Sequence, residues 1–290
     1  MRILLITENY PPSTGGMSQS CDRLVNSFRS NNVEVDVLHF TNRNTAFNKV
    51  EKINGNYVPL PKHQDTAHSL NLTLSYIENH CEIDAYSHML IFGGNLPVNA
   101  APIYSRLLGI DYYLCLRGND FDISLFDPKR RAILDCAVEN AKGVFVGSTN
   151  KVTRLQKLYP NTPAYYSPSG IHIDDWQAFD SELNFAKQWR NSNRLSKQVV
   201  IGLIGFLKTK KGVRFFINAL INSGCGERVH ILLSGEQAND IIELLNEYKI
   251  AFTQVPHSDR YSLIKHIVCC DWIAIPSYYE GMPNLSLIHI

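Results

Sequence analysis

Four stretches of this 290-residue chain combine residue types and spacings that could do chemistry. The first is "ENYPPSTGGMSQS", residues 8–20, where Gly15 and Gly16 follow a short apolar run and precede a helix-like stretch. A glycine pair lets backbone come close to a ligand, and the helix N-terminus behind it offers N–H groups and partial positive charge. The second, "GFLKTKKGVRFFINAL" at 205–220, repeats that order with Lys208, Lys210 and Lys211 ahead of Gly212. Ammonium groups beside a helix N-terminus suit a diphosphate. In the third, "LRGNDFDISLFDPKRR" at 116–131, Arg117, Asn119 and Asp120 follow an apolar run. The fourth is "PSYYEGMPN" at 276–284, in which Glu280 could accept hydrogen bonds from sugar hydroxyls while Gly281, Met282, Pro283 and Asn284 present backbone.

Each stretch also has a plainer reading. Glycine pairs are ordinary punctuation between strand and helix, and lysines are ordinary in solvated turns. Neither glycine turn has the Gly-x-Gly-x-x-Gly form of a dinucleotide site or the Gly-Lys-Ser/Thr of a Walker loop. Asp120-Phe121-Asp122 has the Asp-x-Asp form that can hold a divalent ion. Any tripeptide with two aspartates matches it, however, and the lysines at 208–211 neutralise phosphate without a metal. No metal and no cofactor are expected.

The elements that must position these groups alternate in type. Apolar runs at 2–7, 33–40, 88–94, 112–118, 143–148 and 164–168 predict strands. Between them, helical spacing predicts helices at 18–30, near 67–81, and at 97–108, 128–141 and 149–159. The polar stretch 171–198, with one helix, reads as a linker. The alternation then restarts, with strands at 199–205, 228–235, 251–254 and 271–277 and helices at 212–222, 238–248 and 259–269. Such alternation predicts an α/β protein of two Rossmann-like doubly wound domains, each a parallel sheet with helices on both faces. The expected divisions are 1–170, the linker 171–198, and 199–290 as a second, incomplete domain.

Composition excludes several classes. With 44% hydrophobic and 19% charged residues the chain is globular rather than disordered. A net charge of +1 gives no bulk attraction to nucleic acid, so none is expected as a partner. No run of 18 apolar residues predicts a spanning helix. Seven cysteines without a Cys-x-x-Cys pair fit reduced thiols in a cytoplasmic protein. The basic run 128–131, Pro-Lys-Arg-Arg, is the one feature that would support a weak peripheral membrane contact, at the inner face.

Taken in order, "NYPPSTGG", "RGNDFD", "SPSGIHIDDW", "GFLKTKKG" and "IPSYYEGMPN" resemble family-four retaining glycosyltransferases of the GT-B fold, along essentially the whole chain to Asn284. The resemblance implies an N-terminal acceptor-side domain and a C-terminal domain for a nucleotide-sugar donor, a hexosyltransferase-type activity, and a glycan or lipid-linked acceptor, as in polysaccharide biosynthesis. By position it implies that Gly15 and Gly16 approach the donor, and that Lys211, with Lys208 as a second cation, pairs with the diphosphate. Glu280 would hold the donor sugar beside the backbone of Gly281, Met282, Pro283 and Asn284. Arg117 stands where many relatives have a histidine next to the sugar, with Asn119 and Asp120 on the acceptor side of the cleft. No dedicated catalytic base is implied.

Three positions depart from the pattern. Gly205-Phe206 replaces Gly-Arg, Ser169-Gly170 replaces Asn-Gly, and the second glutamate that would bind the ribose falls at Ile288. The terminal "LSLIHI", 285–290, is how a common transposase-based sequencing adapter translates, so the natural chain is expected to continue past Asn284 and this one to be a fragment. A nucleotide-sugar epimerase of the same fold, or an inactive truncated remnant, are the other readings of the pattern.

Overall fold

In a computed structural model the chain divides into two compact units, one of Met1–Gly170 and one that begins at Ile171. The structure describes residues 1–42, 47–117, 120–193, 195, 198–205, 211–235, 239–256, 260–278 and 285–286.

The first unit contains β1 (Arg2–Thr7), α1 (Gly16–Ser30), β2 (Glu34–Thr41), β3 (Val50–Lys52), β4 (Gly55–Pro61), α2 (Thr66–His80), β5 (His88–Phe92), α3 (Asn95–Leu108), β6 (Tyr112–Leu116), α4 (Asp120–Phe126), α5 (Pro128–Glu139), β7 (Gly143–Val146), α6 (Thr149–Leu158) and β8 (Ala164–Tyr166). Its described strands form one sheet in the order β3-β4-β2-β1-β5-β6-β7-β8, parallel except for β3 against β4. β1 reads Arg-Ile-Leu-Leu-Ile-Thr because, as a central strand, it is covered on both faces. One face packs Tyr76 and Ile77 of α2, Tyr104 of α3, Val138 of α5 and Leu155 of α6. The other face packs Cys21 and Val25 of α1. The helix starts follow local chemistry. Asp65 accepts from the backbone N–H groups of Ala67 and His68, Asp127 from those of Lys129 and Arg130, and Ser148 from that of Lys151.

Three elements depart from the sequence expectation. The β3–β4 hairpin was not expected, because Pro59 and Pro61 interrupt the strand pattern. Among the described residues β3 reaches only as far as Tyr57, leaving the outer edge of β4 open beyond it, and by alternation the two prolines face that edge, where no donor is needed. Residues 120–126 form a helix, anchored by the fully buried Phe121. The presumed linker carries α7 (Asp180–Ser192), whose Ala186 and Trp189 join a cluster with Leu195, Val200, Leu232 and Cys269 of the second unit.

The second unit continues with β9 (Val199–Ile204), α8 (Val213–Asn222), β10 (Val229–Ser234), α9 (Asn239–Glu247), β11 (Ala251–Val255), α10 (Arg260–Ile267) and β12 (Trp272–Ile273). The described strands are all parallel, in the order β11-β10-β9-β12. β12 is shorter than its apolar run 271–277, although Ala274 N–H still donates to the Gly202 carbonyl at 2.9 Å.

Both sheets reverse direction beside their first strand. β1 has β2 on one side and β5 on the other, and β9 has β10 on one side and β12 on the other. In open parallel sheets the crevice at the carboxyl ends of strands flanking such a reversal is where ligands bind.

Candidate functional site

In the first unit the crevice lies between the loops that follow β1 and β5. Thr7 joins them: its Oγ1 donates to the Phe92 carbonyl at 2.8 Å and accepts from Asn9 N–H at 2.8 Å. Glu8 accepts from the backbone N–H groups of Asn95 and Leu96 and pairs with Lys62 at 2.7 Å. The start of α3 is therefore already occupied by the protein's own carboxylate. The loop "YPPSTGG" is braced from below. Tyr10 stacks on Tyr57 with centroids 5.6 Å apart, Ser13 Oγ lies 3.3 Å from His39 Nε2, and His39 Nδ1 lies 3.1 Å from the Tyr57 hydroxyl.

That bracing delivers Gly15 with φ 115°, a conformation L side chains rarely adopt, and a Cβ built there meets nothing within 4 Å. α1 begins behind it with no side-chain cap from Gly15 and no acidic residue in its first turn. The starts of α2, α3, α5 and α6 each receive a side-chain oxygen.

Of the third stretch, Asn119 lies outside the described residues. Asp120 opens α4, and a Cβ on Gly93 would lie 3.1 Å from Asp120 Oδ2 and 3.1 Å from Met17 Cε, so Asp120 and the first turn of α1 meet over the β5 loop. Asp122 pairs with Lys151 at 2.9 Å and with Arg154 at 3.1 Å. Among the described residues no group of three His, Cys, Asp or Glu side chains could hold a metal ion. Arg117 is buried, and it donates through two nitrogens to the carbonyl and hydroxyl of Ser167, at 2.6 and 2.9 Å. It ties the end of β6 to the strand exit beyond β8.

In the second unit Lys208 lies outside the described residues, as do Glu280, Gly281, Met282, Pro283 and Asn284. Lys211 and Gly212 are described. Gly212 has φ 64° and stands ahead of α8, which has no side-chain cap from Gly212 and no acidic residue in its first turn. A Cβ on Gly212 would fall 2.1 Å from the Pro276 carbonyl oxygen. Gly212 therefore lies directly against the loop after β12, with Phe215 of α8 and Tyr278 approaching at a centroid distance of 6.3 Å. Gly212→Ala must move backbone on one side or the other. It is expected to destabilise the second unit by at least about 2 kcal/mol, measured by urea unfolding, whereas an unchanged midpoint would mean that the two loops separate freely.

Glu8, His39 and Tyr57 were not singled out from sequence. Glu8 immediately follows a buried strand and precedes two prolines, which is the only local hint; the Tyr57 partner comes from the hairpin that the prolines concealed.

Comparison with solved structures finds the same architecture. Sucrose-phosphate synthase from Thermosynechococcus elongatus superposes with a TM-score of 0.78 at 15% identity, over 99% of this chain and 78% of that one. Anabaena HepE in complex with UDP and glucose gives 0.73 at 13% identity, over 100% and 78%. WaaG, a glycosyltransferase involved in lipopolysaccharide biosynthesis, gives 0.68 at 15% identity, over 100% and 78%. This chain has the GT-B fold. No family model matches the sequence. No curated protein matches it either. At these identities the likeness establishes the architecture, and function rests on the site.

Proposed function

We propose that this GT-B protein is a retaining, hexosyltransferase-type glycosyltransferase that moves a sugar from a nucleotide-sugar donor to a hydroxyl of a glycan or lipid-linked acceptor, without a divalent metal. One observation carries the reading. In each unit a positive-φ glycine at the sheet's reversal point stands ahead of a helix with no acidic residue in its first turn, and in the second unit Lys211 stands beside it. A helix start with an adjacent cation suits the diphosphate of such a donor. Structural neighbours support the donor class, since HepE is described with UDP and with UDP-glucose, and a trehalose-6-phosphate protein from E. coli with UDP-2-fluoro glucose.

The chemistry follows from where charge develops. As the glycosidic bond to phosphate breaks, negative charge grows on the leaving diphosphate, and Lys211 with the α8 dipole would stabilise it. The acceptor hydroxyl would attack from the same face and pass its proton to the departing phosphate, so configuration is retained and no separate base is required. Arg117, held on Ser167, would position the β6 loop, and Asp120 would support it.

The place of action we propose is the cytoplasm, at or near the inner face of the membrane, in polysaccharide or lipopolysaccharide assembly. No helix among the described residues is long and apolar enough to cross a membrane. Of the basic run that would touch lipid, Arg130 lies 3.7 Å from Asp127 and Arg131 2.8 Å from Asp135, so only a weak contact follows.

Titration of the full-length protein with UDP-glucose, followed by NMR of the product's anomeric centre, tests the reading. Saturable donor binding and an α-linked product from the α-donor are expected. A β-linked product would remove the retaining mechanism, and epimerisation of the donor without acceptor would replace transfer by the epimerase chemistry.

A further inference from the structure

The helix that opens the second unit is clasped by two imidazoles. α7 directs Phe185, Ala186 and Trp189, one helical stripe, at the rest of that unit. Trp189 meets His230 of β10 edge to face, with centroids 5.7 Å apart and planes at 78°. Phe185 meets His266 of α10 in the same manner, at 6.4 Å and 75°. His230 is 5% exposed, and its Nε2 lies 2.8 Å from Thr253 Oγ1 on β11. In both histidines Nδ1 is buried without a hydrogen-bond partner. A neutral imidazole tolerates this arrangement, because only one of its nitrogens carries a proton. A protonated one would place a charged N–H where nothing accepts it.

We infer that α7 is docked by a proton-sensitive clasp, closed when His230 and His266 are neutral and loosened when they take up protons. The inference is independent of the transfer chemistry proposed above. The charged neighbourhood favours these two groups as the switch. Burial alone pushes His230 down from its ordinary range, with Thr253 and Trp189 facing it. Burial and then the Lys265 ammonium push His266 down. Glu182 of α7 is held below the usual carboxylate range, with the Ser181 hydroxyl as the main cause and Lys265 also contributing. Arg190 of α7 donates to Asp271 at 3.0 Å and to the carbonyls of Cys269 and Gln198, each at 3.2 Å. The Cys269 thiol is pushed up by burial to about 11 and that of Cys270 to about 12, so both stay protonated.

The sign follows from the direction of the two imidazole shifts. Folded values lie below the unfolded one of about 6.5, so in acid the undocked chain binds more protons than the docked one. The contribution is complete above about pH 6.5 and is lost as pH falls through that value towards the folded ones.

Hydrogen exchange of the full chain between pH 7.5 and 5.5, corrected for intrinsic amide rates, reads the clasp directly. Residues 180–192 are expected to lose protection several-fold more than β9 and β10, and the H230Q/H266Q variant should remove that difference. Uniform loss across the unit, or the same local loss in the variant, would overturn the inference. If the variant does not fold, the wild-type imidazole and Trp189 indole resonances serve instead. The indole should shift along the histidine titrations, and an indole unmoved by them would refute the clasp.

Discussion

Lys211→Ala in the full-length protein is expected to lower turnover at least about tenfold, the effect of losing one charge-assisted contact to a leaving group. The loss should fall on kcat more than on KM, because the diphosphate gains charge as the sugar departs. Lys211 stands immediately before Gly212, which lies against the Pro276 loop at the start of α8. Removing the side chain leaves that backbone intact, so the variant should fold as the wild type does. Lys211→Arg should recover part of the rate, since a positive charge near a phosphate needs less exact geometry than a bidentate contact. Steady-state kinetics with UDP-glucose decide the matter. An unchanged kcat/KM in the alanine variant would take Lys211 out of the site and leave the second unit without its named cation.

The second large effect is on stability, at the opposite end of the first sheet. Asp36 is buried in β2 and accepts from Arg2 Nε at 3.0 Å, from both the backbone and the side-chain nitrogen of Asn56 at 2.7 Å, and from the Tyr86 hydroxyl at 2.5 Å. These contacts join β1, β2, β4 and the approach to β5. Burial by itself would push the Asp36 carboxyl up, but the hydrogen bonds from Tyr86 and Asn56 and the Arg2 charge more than offset it, and the group sits below its ordinary value. Asp36→Ala leaves the Asn56 amide and the Tyr86 phenol without this acceptor, while Arg2 keeps Glu82 at 3.3 Å. The expected cost is about 3 kcal/mol, with Arg2 able to reach solvent and so limiting it. For a unit of this size that corresponds to a fall of about 6 to 12 °C in Tm. A depressed carboxyl contributes stability above its unfolded pKa of about 3.9, and that contribution is lost as pH falls through the folded value. The wild type should therefore lose stability more steeply in acid than the alanine variant. Parallel acid limbs in a calorimetric pH series would show that Asp36 is not the group responsible.

Much of the fold was legible because its signals are local. The six apolar runs of the first unit and the four of the second recur as strands, since a strand covered on both faces must be apolar throughout. The hairpin at 50–61 was not legible. Its prolines argue against a strand unless the open edge beside them is known, and that edge is set by how far β3 extends. α7 was read as linker for a related reason: a helix with a narrow apolar stripe looks solvated until the surface receiving Trp189 is seen.

The site divides along the same line. Gly15, Gly16, Lys211 and Gly212 are proposed from residue type and spacing, because positive-φ turns and helix starts depend on a few consecutive residues. Glu8, His39 and Tyr57 could not, since each acts through a partner contributed by another strand or helix. The hold on Arg117 was equally hidden, since its two donors to Ser167 depend on where β8 ends.

By itself, the sequence determined the alternation of strand and helix, the fresh start at Val199 and the two glycine turns, all products of neighbouring residues and periodic burial. Tertiary structure alone decided that β5 lies beside β1 and β12 beside β9, which makes those turns the mouths of crevices. Strand order depends on pairing between residues about 70 to 90 positions apart, such as Ile3 with His88 and Ile201 with Trp272, and no local pattern encodes a partner at that distance.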